Sequence, residues 1–455
     1  MDELSLIRDA DSRAATYLAG VAVRRVFPDQ AALDALSAFA EPLPRQGRPA
    51  AETLALLNDV GGPATVTSNG PRYFGFVIGA ALPVAAAAER LVLAWDQCAS
   101  SYDNSPVAAV LEKQAGDWLL EALDLPREAA VGFGTSATAC GLACLAAARR
   151  SLLARKGWDF DRQGLAGSPP IRVIVSETVH ITVRKALRVL GFGLDNLIIA
   201  PTDDFGRIDP DRLPPLDDGT ILCLQAGEVN MGEFDPFVPL IRAARAAGAW
   251  VHVDGAFGLW ARLSSDSMRL TAGVEGADSW TTDGHKWLNT PYDGAIAICR
   301  DGHALAAAMN SDAAYATADP FAQKNLTLEF SRRARGITIW AALRTLGVEG
   351  IAAMVDRHRA LARRLADGLR ATGFEVVNRV VLNQVLIRVT GDSDDGAHLA
   401  RIRKAAEASG EIWFGPTVWR GKPAARLSIS SWRTGEAEID HAIAVLAHLR
   451  ETVCD

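Results

Sequence analysis

Six short apolar runs constrain this chain more than anything else in it: "IRVIVSE", "NLIIA", "TILCLQA", "AWVHVD", "SWTT" and "GAIAIC", all between residues 171 and 299. Each has strand length, and helical patterns lie between them across residues 75 to 310. Strands alternating with helices call for a mostly parallel sheet covered on both faces. The expected organisation is an N-terminal helical segment (1–75), a large α/β domain (76–330) and a small C-terminal α+β domain (331–455). The first segment reads as two helices, "LSLIRDADSRAATYLAG" and "AALDALSAF", then the Pro-rich "EPLPRQGRP" and a further helix. In the last domain a long amphipathic helix starts at "SRRARG". Strand material in "EVVNRVVLNQVLIRVT" and "ARLSISSW" follows, with one helix between and a terminal helix, "EAEIDHAIAVLAHLR".

Composition narrows the functional classes. A length of 455 residues accommodates a large domain and a smaller one, and 49% hydrophobic with 22% charged residues describes an ordinary globule. The net charge of −7, without basic runs interleaved with aromatics, argues against a nucleic-acid partner. Cys98, Cys140, Cys144, Cys223, Cys299 and Cys454 lack CxxC spacing and read as thiols of a reducing cytoplasm. The eight histidines form no HExxH, so no metal is expected. The start, "MDELSLIRDADSR", is too acidic and polar for a signal peptide. "GAALPVAAAAERLVLAW" is too broken, by Pro83, Glu89 and Arg90, to span a membrane.

Four pieces carry chemistry. In "TTDGHKWLNTPYDG" Lys286 sits between His285 and Trp287, in a turn bounded by the runs "GADSW" and "GAIAIC". A lysine pinned at a strand terminus can form a Schiff base with an aldehyde cofactor. Upstream, "AWVHVDGAFGLWA" ends a buried strand in Asp254, at the edge where open α/β sheets bind ligands. A carboxylate there suits the pyridine nitrogen of pyridoxal 5'-phosphate (PLP), and Ala256 is small enough to lie under a ring. Alone, Asp254 reads equally as a helix cap. "SETVHITVRKALRVLGFG" puts His180 in a βα loop or a first helical turn, and "VGFGTSATACGLACLAAARR" offers a small-residue turn before a helix as an anion site.

Together, in this order, these pieces resemble the group II PLP-dependent decarboxylases, the aromatic amino acid and glutamate decarboxylase family. The likeness runs over residues 60 to 435 and takes in "GPRYFGFVIGAALP", "NSPVAAVLEKQAGDWLLEALDLP", "LQAGEVNMGEFDP" and "LEFSRRARGITIWAALRTLG". It implies fold type I: a mostly parallel seven-stranded-type sheet with a small C-terminal α+β domain, PLP as cofactor and a homodimer. It implies Lys286 as the Schiff-base lysine, Asp254 as the pyridinium partner, His180 as the ring-stacking residue and Ala256 on the opposite face. Ala137, Thr138 and His285 would contact the phosphate. Phe76, Val77 and Arg426 would line the substrate side.

The implied reaction is loss of CO2 from an L-amino acid to give an amine. The alternative is another α-carbon reaction: an aminotransferase, an aldolase-type lyase or a decarboxylation-dependent oxidative deaminase. A third reading is a protein that binds PLP or a partner without turnover. Phe74, Phe76 and Val77 favour an aromatic or aliphatic substrate, a lean that Arg332, Arg333 or Arg335 would reverse. The chain departs from the family at Ala139, where an acid is usual, and at Asp283, where several members have Asn. "SDAAYATADPFAQKN" is shorter than the mobile loop whose tyrosine reprotonates the substrate in aromatic amino acid decarboxylases. Its only tyrosine is Tyr315.

Overall fold

A computed structural model describes residues 2–310, 322–391 and 396–453; Tyr315 and Cys454 lie outside the described residues. The chain forms two compact units, one of residues 81–360 with 378–384, the other of 1–80, 361–377 and 385–455.

The first unit is built on a seven-stranded sheet: β1 (Ala130–Gly134), β2 (Arg172–Ser176), β3 (Ile198–Ala200), β4 (Thr220–Gln225), β5 (Trp250–Asp254), β6 (Ser279–Asp283) and β7 (Ala295–Cys299). Their order is β1-β7-β6-β5-β4-β2-β3. Strands β2 to β6 run parallel, while β7 is antiparallel to both β6 and β1. Since β7 reverses twice, β1 points the same way as β6, and the carboxyl ends of β1, β2, β4, β5 and β6 share one edge.

Both faces of the central strands are covered, which is why they read as unbroken apolar runs. Every residue of β4, β6 and β7 is buried. The helix Ala137–Arg155 packs on the sheet through small side chains, among them Ala143, Cys144, Ala147 and Ala148, all inaccessible. This helix and Arg335–Ala371 are long and apolar enough by composition to cross a membrane, but the first is mostly buried against the strands. The second is not one helix, as its pattern suggested. It breaks at Gly347, whose φ of 61° is left-handed.

The other unit holds a four-stranded sheet of β8 (Phe374–Val376), β9 (Gln384–Val389), β10 (Gly415–Trp419) and β11 (Lys422–Ser428), in the order β10-β11-β9-β8. The helices Ala397–Ser409 and Glu436–Thr452 belong to it, as do the N-terminal helices Glu3–Gly20, Gln30–Ala35 and Ala50–Leu56. The expected boundaries at 75 and 330 set the two chain ends apart, whereas the structure joins them in one unit. Main-chain bonds are the reason: Phe74 N–H donates to Trp413 O (2.8 Å) and Ser428 N–H to Phe74 O (2.9 Å).

Candidate active site

Lys286 lies in the turn between β6 and β7, and the turn is tied shut. Gly284 and His285 donate N–H bonds to Gly294 O (3.0 and 3.2 Å), and Thr290 N–H donates to Gly284 O (3.1 Å). Asn289, left-handed at φ 57°, reaches back through Nδ2 to the carbonyls of Lys286 (3.1 Å) and Trp287 (2.9 Å). Trp287 is buried beneath, its indole donating to His358 Nδ1 at 2.8 Å. The lysine is thus set by its backbone, and its Nζ stands 3.1 Å from Asp283 Oδ2.

Asp283 is itself 2% exposed. Its Oδ1 accepts the N–H of Ala137, the first residue of the core helix, at 2.7 Å, and its Oδ2 lies 3.8 Å from His285 Nε2. Burial pushes the His285 imidazole below its ordinary pKa, so it is neutral at neutral pH. Ser136 caps the same helix by accepting from Ala139 N–H (3.3 Å). One anion therefore already sits among a helix start, an imidazole and an ammonium, which is an anion-binding set of donors.

Asp254 ends β5, opposite Thr281 of β6 and Gln225 of β4. Its Oδ1 accepts from Ala256 N–H (3.1 Å), a turn rather than a helix cap. Ala256 O in turn receives the Asp283 N–H (2.9 Å). Cys223, beside Asp254 on β4, is pushed up to about 12 by burial and stays a neutral thiol. On the far side of β4, Gln225 Nε2 donates to Thr178 Oγ1 (3.3 Å) in the loop that leads to His180.

His180 is the N-cap of the helix Ile181–Val189. Its Nδ1 is met by the Thr182 hydroxyl (2.6 Å) and the Thr182 N–H (3.4 Å). An Nδ1 that accepts a backbone N–H carries no proton, so the neutral ring presents Nε2–H. Ala137, Thr138, His180, Asp254, Ala256, His285 and Lys286 all fall on the carboxyl-end edge defined by β1, β2, β5 and β6. The joining residues Asp283, Gln225 and Thr178 were not among the site residues expected from the sequence. Their only sequence signal is position, at or just past a strand's carboxyl end.

Phe76, Val77 and Arg426 belong to the other unit. Phe76 is left-handed (φ 54°) and 56% exposed, its ring 5.6 Å from that of Trp413, which stacks on Tyr73 at 5.0 Å. A Cβ on Gly75 would meet the Trp413 ring at 2.1 Å, so the stack requires glycine there. Val77 is buried, and Arg426 is mostly buried on β11 opposite Gly415. The arginines that would favour an acidic substrate are engaged elsewhere. Arg332 holds Glu112 through two bonds (2.8 and 2.7 Å), Arg333 pairs with Glu89 (2.7 Å), and Arg335 with Asp293 (2.6 Å).

A strand-bounded lysine, a strand-end carboxylate and a helix-start anion site on one sheet edge define a PLP enzyme of the α/β class. The chain belongs to the pyridoxal-dependent decarboxylase family, whose conserved domain matches residues 52–390. It is 30% identical over 372 residues to tryptophan decarboxylase 1 of Oryza sativa subsp. japonica, a match covering 75% of this chain and 71% of that protein. It is 26% identical over 370 residues to a phenylacetaldehyde synthase of Arabidopsis thaliana, covering 75% and 74% of the two chains. The crystal structure of Oryza sativa TDC with PLP and tryptamine superposes with a TM-score of 0.90 at 23% identity, over 99% of this chain and 98% of that one. The protein is a PLP-dependent amino acid decarboxylase of the expected fold.

The residues present fit the cofactor. The Ala137 N–H suits a phosphate, as its bond to the Asp283 carboxylate shows, and His285 lies close by. Among the described residues the Asp254 carboxylate accepts one bond, through Oδ1, which leaves Oδ2 for a ring N–H.

Proposed function

We propose that this chain removes CO2 from an L-amino acid with an aromatic or aliphatic side chain, and that Lys286 carries the cofactor. The observation that supports it best is the shared edge: Lys286 after β6 and Asp254 on β5, one strand apart in register. Bound PLP supplies an aldehyde that takes up an amine and a ring that accepts the electron pair released with CO2. The protein supplies the rest. Asp254 keeps the ring nitrogen protonated. His180 would stack against the ring, with Ala256 leaving room on the opposite face. Ala137, Thr138 and His285 would hold the phosphate. With Arg332, Arg333 and Arg335 all paired to carboxylates, an apolar substrate is favoured over an acidic one.

The working form proposed here is a homodimer. The three N-terminal helices bury no residue and leave Leu4, Leu18, Leu36, Phe39 and Leu57 exposed on them or between them. Exposed apolar surface of that extent suits a partner copy. The free thiols Cys98, Cys140, Cys144, Cys223 and Cys299 support a cytoplasmic location.

The test is mass-spectrometric product analysis of the PLP-loaded protein with a panel of L-amino acids and no keto acid. An amine lighter than its parent by CO2 is expected. An aldehyde as the main product would instead place the chemistry with the aldehyde synthases, and a keto acid would point to transamination.

A further inference from the structure

Asp283 occupies the ground that a cofactor phosphate needs. Its backbone is fixed at both ends, the N–H donating to Ala256 O (2.9 Å) and the carbonyl accepting from the Trp260 indole (3.2 Å). Only side-chain rotation is left to it. That side chain takes the Ala137 N–H at 2.7 Å and Lys286 Nζ at 3.1 Å, with His285 Nε2 at 3.8 Å. The helix start, where the backbone dipoles favour an anion, is therefore already satisfied by a carboxylate.

We propose that Asp283 is a built-in competitor of the cofactor: its carboxylate takes the helix-start donor that a phosphate would use and has to yield when PLP binds. This rests on the reading of Ala137 and His285 as phosphate contacts. A carboxylate and a phosphate are both anions and cannot share these donors without repulsion. Binding therefore requires Asp283 to give up its bond to Ala137 or to remain against a like charge. An amide in its place would accept from Ala137 through its oxygen and donate to a phosphate through its nitrogen. The chain thus binds PLP with a higher Kd than it would with an amide at this position.

The test compares apo wild type with Asp283→Asn in three titrations: PLP, 4'-deoxypyridoxine 5'-phosphate (phosphate without aldehyde) and pyridoxal (aldehyde without phosphate). Melting of both apoproteins is recorded alongside. Asp283→Asn is expected to bind both phosphorylated ligands more tightly by about tenfold or more. Its pyridoxal affinity, which senses only the altered Lys286 contact, should change much less than that for the phosphorylated ligands, and its apoprotein should melt a few degrees lower. Equal or weaker binding of the phosphorylated ligands by the variant overturns the proposal, as does an equal gain for pyridoxal. If Asp283→Asn does not fold, Asp283→Ser is read the same way. Failure of the underlying site reading has a separate signature: wild type would bind PLP no more tightly than pyridoxal, and Lys286→Ala would leave PLP binding unchanged.

Discussion

The turn that carries Lys286 and the N-terminal helices are opposites in how they satisfy themselves. From Asp283 to Thr290 the turn is buried except for Lys286, and most of its polar groups bond within the turn or to neighbouring strands and helices. The helices Glu3–Gly20, Gln30–Ala35 and Ala50–Leu56 bury nothing and hold leucines in solvent. The turn is complete within one chain. The helices carry exposed apolar side chains, which suits the homodimer proposed above.

That contrast can be broken from either side. The largest effect belongs to Lys286→Ala, which should cut amine production by more than about 10³-fold. It should also abolish the absorbance of the lysine-bound cofactor while leaving the sedimentation mass unchanged; persistence of the band would remove Lys286 from its role. Asp254→Ala comes next, with turnover down by about 10²–10³-fold and some PLP retained; a near-normal rate would contradict the electron-sink role. On the other side, Leu18→Ser with Leu57→Ser should leave each subunit folded and weaken the dimer by about tenfold or more, since each leucine buried at an interface contributes about 1.5–3 kcal/mol. Analytical ultracentrifugation over a dilution series reads this directly. An unchanged dimer would mean these helices are free arms.

The smallest effect is one of pH. His252, buried on β5 with Nδ1 3.0 Å from Ser279 Oγ, is held by burial down to about 4. The fold disfavours its charged form, so the unfolded chain binds the extra proton between that value and the ordinary pKa of about 6.5. This contribution to stability is complete above that upper value and is lost as pH falls toward 4. His252→Gln should therefore show a shallower decline in urea midpoint across the same window. The N-terminal helices carry no histidine.

Much of the buried half was legible in advance because burial on both faces leaves a local trace. Strands β2 to β7 coincide with the apolar runs, and Asp254, His180 and Lys286 stand where strand ends predict. Elements decided by distant partners left less. β1, "AVGFG", has two glycines and becomes a strand through its pairing with β7. β10 carries Pro416, alternates in exposure and is held by β11 on one side. The bond from Ala137 to Asp283 and the stack of Phe76 on Trp413 join residues far apart in sequence, and no periodicity announces either. Gly347 interrupts an amphipathic pattern that continues in phase on both sides, so the pattern conceals the break.

The reversed strand β7 has a kinetic consequence. It pairs with β6 through a short local hairpin, but with β1 only after the intervening strands and helices have been made. Lys286 can thus be presented early, while the helix start at Ala137 reaches it only when the last seam of the sheet closes. Loops that long close slowly relative to hairpins. Phosphate-dependent capture of PLP during refolding should therefore follow the pairing of β1 with β7.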